Sequence, residues 1–191
     1  MTQEVIKLLE NATHGTLSLV DGNKPYAVTL NFVFFNGDIY FHCSKRGKKV
    51  DLIKANNNCF FSVVEDYSLI PSYFSSKSGL ACPATQFFES VFIEGIAKIV
   101  DDCEEKIKVF TALMQKLQSE GGYQSFKNSI YKNALENVLV VKIEVKSHSY
   151  KAKLGQNISR ERFDMIVGNL HKRSKYLDLK TIKRMKEIRC I

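Results

Sequence analysis

The chain has 191 residues, of which 45% are hydrophobic and 25% are charged. These values fit one globular domain, or one domain with an appendage, and exclude a disordered, collagenous or disulfide-stapled chain. The formal net charge of +8 raises the question of a polyanionic partner. Residues 1–145 hold 15 Lys or Arg and 16 Asp or Glu, whereas residues 146–191 hold 13 and 4. The basic excess therefore belongs to the last quarter of the chain.

The N-terminal third predicts a short helix followed by three strands. Residues 3–10 place their apolar side chains on one helical face. The strands are predicted over 15–20, 26–35 and 39–44. An Asp-Gly pair at 21–22 and an Asn-Gly pair at 36–37 separate them, and both pairs favour tight hairpins because these residues tolerate positive φ. We therefore expect an antiparallel meander.

The middle of the chain alternates strands and helices. A helix is predicted over about 47–55, a strand over 59–66, a polar loop over 67–84, a strand over 87–101 with a break at Gly95, a helix over 102–118 and a strand over 137–146. Six short strands with interposed helices indicate a mainly β protein with helices, of α+β type, built on a small six-stranded antiparallel barrel.

Two basic amphipathic helices are predicted after residue 146. The first covers 159–173, with Ser159 as its N-cap. The second covers 177–191, with an apolar stripe of Leu179, Ile182, Met185 and Ile188. We divide the chain into a barrel domain (1–155) and a basic helical extension (156–191). Two interpretations of the extension stay open: its cations bind nucleic acid or another anionic partner, or its apolar stripes pack on the barrel or a dimer mate with Lys and Arg outward.

The sequence predicts neither export nor metal binding. The first 15 residues lack a basic segment followed by an apolar one, and no apolar run reaches the length of a membrane span. Five Cys are spread along the chain without a Cys-x-x-Cys pair or a His at ligand spacing. We therefore expect a cytoplasmic protein with reduced thiols and no contact with a membrane.

A basic cluster formed by Lys45, Arg46, Lys48 and Lys49 surrounds Gly47. It lies between a strand end and a helix start, where free backbone amides, a glycine and several cations can bind a phosphate group. The same four cations could also form a solvated loop, and they match no Walker motif. The sequence leaves both interpretations open.

Two other residues could take part in chemistry. His42 immediately precedes the basic cluster and is either a structural strand residue or a catalytic one. Cys82 lies near Ser90, but no basic residue adjoins it in sequence, so we interpret it as an inert thiol. Hydrolase and metalloenzyme signatures are absent from the sequence.

The order of short motifs resembles a known family. They are G-T-L at 15–17, P-Y-A-V-x-L-N at 25–31, G-x-I-Y-F-H at 37–42, G-K-K at 47–49 and A-C-x-x-T-x-x-x-x-S-V-x-x-x-G at 81–95. This run is similar to the pyridoxamine 5'-phosphate oxidase-like FMN-binding split barrels, and most to the branch of nitroimidazole-resistance proteins. The resemblance covers residues 10–118 and extends to about 155.

The resemblance implies a homodimer with FMN at its interface. The isoalloxazine ring would lie against Val28, Thr29, Leu30 and Asn31, the ring edge and ribityl chain would meet Phe41, His42 and Cys43, the phosphate would meet Lys48 and Lys49, and Ser90 would add a flavin contact. His42 is then the candidate for substrate contact or proton supply.

The implied activity is that of an FMN-dependent oxidoreductase, similar to flavin reductases and nitroreductases. It would transfer electrons from reduced NAD(P)H to a small-molecule acceptor, nitroaromatics included. Relatives of the split barrel also use deazaflavin or haem. The alternative is a non-enzymatic flavin- or haem-binding module whose basic tail contacts an anionic partner.

Several residues depart from the family pattern. Tyr26 and Asn31 occupy a strand that is rich in Arg and Lys in pyridoxamine phosphate oxidases, and the chain has no Trp, so vitamin B6 oxidase activity is not expected. Phe88 replaces a frequent Tyr, and Glu89 replaces a frequent basic residue. The substrate specificity of the branch is therefore not carried over.

Overall fold

The structure is a computed structural model that describes residues 1–189. Cys190 and the end of the helix predicted to reach residue 191 lie outside the described residues. The chain forms two compact units: residues 1–63 with 91–149, and residues 64–90 with the chain from Tyr150 onward. The domain boundary expected at residue 155 stays a prediction.

The predicted helices and strands occur in their expected order, and one further helix, over Lys132–Asn137, was not predicted. The first unit contains α1 (Gln3–Asn11), β1 (His14–Asp21), β2 (Lys24–Asn31), β3 (Val33–Phe35), β4 (Asp38–Cys43), α2 (Lys48–Ala55), α3 (Cys103–Leu117) and α4 (Lys132–Asn137). Three strands have residues in both units: β5 (Asn58–Ile70), β6 (Thr85–Val100) and β7 (Leu139–Lys153). The second unit contains α5 (Arg160–Arg173) and α6 (Tyr176–Arg189).

The sheet has seven strands, so the prediction of six was wrong. Its order is β2-β1-β5-β6-β7-β4-β3. The predicted strand over 26–35 is two strands, because the chain changes partners at Phe32: β2 pairs with β1, and β3 pairs with β4. Both pairings are antiparallel, as expected. The Asn-Gly turn between β3 and β4 is confirmed, with positive φ at Asn36 (52°) and Gly37 (88°).

The sheet is open but must curl. Its order starts at β2 and ends at β3, yet Phe32 alone connects these two strands. In a flat sheet six strand spacings of about 4.8 Å would separate them, far more than the roughly 3.5 Å that one residue spans. The sheet therefore wraps until its two edges approach each other at Phe32, as a barrel that is split rather than closed.

Lys116 stabilises the chain where the strand changes partners. Its Nζ donates hydrogen bonds to the carbonyl of Phe32 at 3.3 Å and to that of Leu9 at 3.1 Å. The same ammonium lies 4.1 Å from the centroid of the buried Phe32 ring, which itself packs edge-on against Phe61. Burial lowers the pKa of Lys116 to about 8. One side chain of α3 thus satisfies a carbonyl at the break between the two strands.

Gly95 does not break its strand, contrary to the prediction. Strand β6 continues from Thr85 to Val100. A Cβ at Gly95 would lie 2.5 Å from Cγ2 of Ile143 and 2.8 Å from the carbonyl oxygen of Glu144. The glycine is therefore required for close approach of the neighbouring strand, not for a bend.

The core of the second unit combines the strand ends with the two C-terminal helices. Its buried residues are Tyr67, Ile70, Phe74, Phe87, Leu154, Phe163, Ile166, Leu170, Ile182 and Met185. The predicted loop therefore begins later than expected, because β5 extends to Ile70, and β7 extends seven residues beyond its predicted end. The extra residues of β5 bury Tyr67 and Ile70 in this core, and Ala152 of β7 is partly buried against it. Burial of apolar side chains stabilises the unit.

The apolar stripe of α6 differs from its prediction. Leu179 is 56% exposed, whereas Asp178 and Thr181 are fully buried beside Ile182 and Met185. The N-cap of α5 is confirmed, since the Ser159 hydroxyl accepts a hydrogen bond from the amide of Arg162. The helices of the extension thus bury one face within their own unit.

Candidate functional site

The start of α2 is an uncapped helix N-terminus. Gly47 has φ of 120°, a backbone conformation that favours glycine. Its carbonyl accepts hydrogen bonds from the amide of Val50 at 2.8 Å and from that of Asp51 at 3.2 Å. Gly47 has no side chain with which to cap the amides of Lys48 and Lys49, which therefore remain available to an anion.

The two lysines at the start of α2 differ in the partners of their ammonium groups. Lys48 Nζ lies 2.8 Å from a carboxylate oxygen of Asp21 and 5.3 Å from the ring centroid of Tyr26. The hydrogen bond with Asp21 raises the pKa of Lys48. Lys49 Nζ lies 5.3 Å from the ring centroid of Phe41 and forms no ion pair within residues 1–189. Of these two lysines, Lys49 is thus the one without a carboxylate partner among the described residues.

The four predicted flavin contacts of β2 lie on two faces of the sheet. Val28 and Leu30 are half-buried, whereas Thr29 and Asn31 are exposed, as strand alternation requires. The Thr29 hydroxyl lies 3.4 Å from that of Thr16, and the Asn31 amide donates to the carbonyl of Thr13 at 3.0 Å. One flat ring can contact only one of these faces.

Strand β4 separates its predicted contacts in the same way. Phe41 is buried and shares a face with Cys43. His42 points to the opposite face, towards α3, where its ring lies 5.5 Å from the ring of Phe110. Tyr40 shares that face and donates a hydrogen bond of 2.9 Å to Glu105 of α3.

The side chains of His42 and Cys43 are neutral near pH 7. Burial lowers the pKa of His42, and the positive charge of Lys49 lowers it further. Burial raises the pKa of the Cys43 thiol, and Lys49 offsets part of that shift. His42 can therefore donate and accept a hydrogen bond, whereas Cys43 stays a protonated thiol and a weak nucleophile.

An aromatic cluster beside His42 was missed by the sequence reasoning. Phe126 lies 5.5 Å from Phe110 and 4.7 Å from Tyr131, and Tyr123 lies 6.3 Å from Phe126, all between ring centroids. The three aromatic residues between positions 123 and 131 could have signalled it. They give His42 an aromatic neighbourhood within the first unit.

Ser90 and Glu89 lie in the second unit. Ser90 is 2% exposed, and its hydroxyl has no hydrogen-bond partner in the described part of the chain. Glu89 is 4% exposed and accepts hydrogen bonds from Arg184, Tyr67 and Tyr150. The unexpected acidic residue at position 89 thus belongs to a buried polar network.

Many cations of the basic extension are already paired. Four of them form ion pairs within the second unit: Arg160 with Asp164, Arg173 with Asp178, Lys180 with Glu65, and Arg184 with Glu89. Contact of the extension with an anionic partner stays a prediction.

Four of the five cysteines lie in the described region, and all four are free thiols. Between residues 1 and 189, no group of three or more His, Cys, Asp or Glu side chains is arranged to hold a metal ion. None of the helices in the same range is long and apolar enough to cross a membrane.

The features at the start of α2 fit a phosphate group. Two amides without a side-chain cap, a glycine with positive φ and an unpaired ammonium lie within three consecutive residues. These are the groups that bind phosphates at helix N-termini in other proteins.

Known structures show the same fold. A 5-nitroimidazole antibiotic resistance protein from Bacteroides thetaiotaomicron has a TM-score of 0.65 at 21% identity, covering 78% of this chain and 82% of that one. A flavocytochrome from Azotobacter vinelandii has a TM-score of 0.65 at 16% identity, covering 85% and 73%. An FAD- and haem-binding protein from Mycobacterium smegmatis has a TM-score of 0.62 at 16% identity, covering 85% and 77%.

The sequence comparisons agree with the resemblance noted from the motifs. No curated protein matches the chain. One family model, described as pyridoxamine 5'-phosphate oxidase, matches residues 2–152, which include all three unit boundaries and all seven strands except the last residue of β7. The chain therefore belongs to the pyridoxamine 5'-phosphate oxidase family.

Proposed function

We propose that this protein binds FMN and acts as an FMN-dependent oxidoreductase. The observation that carries the proposal is the start of α2, where free amides, Gly47 and the unpaired Lys49 form a phosphate-binding geometry. Membership of the pyridoxamine 5'-phosphate oxidase family supports the choice of ligand. Similarity to flavocytochrome and FAD-binding structures supports it further.

The residues of the first unit would divide the work of binding. Lys49 and the amides at the start of α2 would hold the phosphate, with Lys48 contributing if it leaves Asp21. Thr29 and Asn31 present polar groups on the exposed face of β2. The neutral His42 would offer a hydrogen bond to a substrate from its aromatic surroundings.

Bound flavin would supply the electron chemistry, accepting electrons from reduced NAD(P)H and returning them to a small acceptor. The similarity to the Bacteroides resistance protein supports a nitroaromatic acceptor. We assign no covalent role to Cys43, because burial raises the pKa of its thiol and makes it a weak nucleophile at neutral pH.

Replacing Lys49 with Ala tests the phosphate site. We expect FMN affinity to fall about tenfold, the effect of one lost charge-assisted hydrogen bond. Riboflavin, which lacks the phosphate, should lose little affinity. The measurement is a titration of each flavin by the change in its fluorescence, with the absorbance near 450 nm giving the flavin retained after purification.

The matched control is Lys54→Ala, which removes a lysine from the last turn of the same helix. It should leave both affinities unchanged. Equal losses for FMN and riboflavin, or an undiminished affinity for FMN, would show that the phosphate binds elsewhere. A Soret band in the purified protein would identify haem as the cofactor instead of FMN. Retention of a deazaflavin in place of FMN would identify the deazaflavin as the cofactor.

We also propose that the functional form is a homodimer with the flavin at its interface. The exposed face of β1 and β5 carries Val20, 49% exposed, and Phe60, 38% exposed. Phe60 stacks on Phe92 of the same unit, with 5.8 Å between ring centroids. This face also carries Thr29 and Asn31, because the register pairs Thr16 with both Thr29 and Ser62. Apolar side chains exposed together in this way are typical of an interface.

Phe60→Asp tests the dimer. We expect a monomer in sedimentation velocity, together with a loss of retained flavin, because a charge would have to be buried at the interface. Leu117→Asp is the control, since Leu117 is 48% exposed at the end of α3 and lies outside this face. A dimer that survives Phe60→Asp would place the interface elsewhere.

A further inference from the structure

A groove in the second unit has the properties of a small-molecule site. Its volume is about 530 Å³, within the range of about 300–1000 Å³ that is usual for such sites. The buried side chains of Ile70, Phe87 and Ile166 line it, and the half-buried ring of Phe88 adds an aromatic wall. An apolar body of one or two rings fits this lining.

The charged residues that line the groove are all cations. Lys151, Lys153 and Arg162 line it, and no carboxylate does so within the described residues. None of these three cations forms an ion pair with another described residue. They differ in this respect from the four cations that form ion pairs with carboxylates, which are Arg160, Arg173, Lys180 and Arg184. A ligand in the groove would therefore meet uncompensated positive charge.

Arg162 is the cation of the groove that is also hydrogen-bonded to its lining. Its Nη2 donates a hydrogen bond of 3.4 Å to the hydroxyl of Ser75, which is 3% exposed. A second groove of about 400 Å³ shares Ser75, Pro83 and Arg162 with the first and adds Lys77, with Glu161 on its lining. One guanidinium thus lines both grooves, and it keeps further donors for a planar anion.

The part of the lining that follows β7 is held by side-chain hydrogen bonds and close packing. Gly155 has φ of 72°, and a Cβ there would lie 3.0 Å from Ile158 and 3.3 Å from the ring of Phe87. The Gln156 side chain accepts a hydrogen bond of 2.9 Å from the amide of Leu154 and donates one of 2.7 Å to the carbonyl of Ala152. These bonds fix the turn after β7, so the groove exists before any ligand arrives, which lowers the cost of binding.

We propose that this groove binds a small aromatic anion, with its rings on Phe87 and Phe88 and its carboxylate or sulfonate group at Arg162. The proposal does not rest on the flavin site, because none of the residues expected to contact flavin lines the groove. Lys151, whose Nζ lies 5.7 Å from the ring centroid of Phe88, provides a second cation above the aromatic wall.

The test uses 8-anilinonaphthalene-1-sulfonate as a fluorescent probe of the purified full chain. We expect one probe to bind per chain, and 2-naphthoate to displace it about tenfold more effectively than 2-naphthalenemethanol, its neutral analogue, since a charge-assisted hydrogen bond accounts for about that factor. Arg162→Gln should weaken the probe about tenfold and remove the preference for naphthoate. Phe88→Ala should weaken both competitors alike.

Arg160→Gln is the matched control, because it removes the same charge from the same turn of α5 at an exposed ion pair. It should leave probe affinity unchanged. Equal effects of the two Arg variants would mean that general charge attracts the probe, and this would overturn the proposal. Absence of binding, or displacement of the probe by saturating FMN, would overturn it as well. Arg162→Gln should retain FMN as the unmodified protein does, which keeps this test distinct from that of the flavin site.

Discussion

Replacing Arg184 with Met is expected to lower the free energy of unfolding by about 3–5 kcal/mol, because the change leaves Glu89 as an unpaired buried charge. The two side chains are 15% and 5% exposed. Their contact is bidentate, with Nη2 2.7 Å from Oε1 and Nε 2.9 Å from Oε2 of Glu89. Tyr67 donates a further hydrogen bond of 2.6 Å to the same carboxylate.

The pKa of Glu89 explains why the loss depends on pH. Burial by itself would raise this pKa, but the hydrogen bonds from Arg184, Tyr150 and Tyr67 outweigh it, so the pKa lies below its ordinary value. A carboxylate with a lowered pKa contributes stability above its unfolded value of about 4.3 and loses it as the pH falls further. The penalty of Arg184→Met should therefore be constant near neutral pH and shrink below about pH 4.

Urea unfolding followed by circular dichroism measures the effect. Arg160→Met is the control, since it removes an exposed pair with Asp164 and should cost no more than about 1 kcal/mol. Adding Glu89→Gln to Arg184→Met removes the unpaired charge and should recover part of the loss. A single Arg184→Met variant as stable as Arg160→Met would show that Glu89 is not buried as described.

Local sequence signals predicted most of the strands and helices. The Asp-Gly and Asn-Gly pairs located both hairpins, and the acidic first turn of α3 located its start. The break at Phe32 gave no such signal, because neither Gly nor Pro marks it and its cause is a change of strand partner. That pairing depends on β1 and β4, which the chain brings together only in three dimensions.

In the candidate site, too, the features with a local sequence signal could be predicted and those that depend on three-dimensional contacts could not. The start of α2 could be predicted because its glycine and cations are contiguous from position 45 to 49. The identity of the expected ligand, FMN, came from the family resemblance. The structure shows that strand alternation turns His42 away from Phe41 and Cys43. The pairing of Glu89 with Arg184 joins residues 95 positions apart, and charge patterning along one segment cannot reveal it.

The second large effect is expected for Asp178→Asn, at about 3–5 kcal/mol of lost unfolding free energy. Asp178 is fully buried in α6. Its carboxylate accepts hydrogen bonds from Nε of Arg173 at 2.9 Å, from the hydroxyl of Ser68 at 2.6 Å and from the amide of Lys175 at 2.9 Å. It thereby joins the end of β5 to the turn between α5 and α6.

Asparagine keeps the shape of Asp178 but loses the charge that Arg173 requires. The hydrogen bonds from Arg173 hold the pKa of Asp178 well below its usual range, against the effect of burial. This contribution to stability is complete above the unfolded value of about 3.9 and is lost as the pH falls towards the lower folded value. The stability difference between the unmodified protein and Asp178→Asn should therefore stay constant from pH 7 to pH 5 and shrink below pH 4.

Unfolding curves measured at several pH values test this dependence. Asp164→Asn is the matched control in the same unit, since its ion pair with Arg160 is exposed, and it should cost no more than about 1 kcal/mol at any pH. A difference for Asp178→Asn that does not change between pH 7 and pH 2.5 would contradict the buried charge pair, because below about pH 4 the unfolded chain binds a proton at this carboxylate while the folded protein keeps it ionised, and the stability of the unmodified protein must then fall. The same result would leave the packing of α6 as the source of any loss.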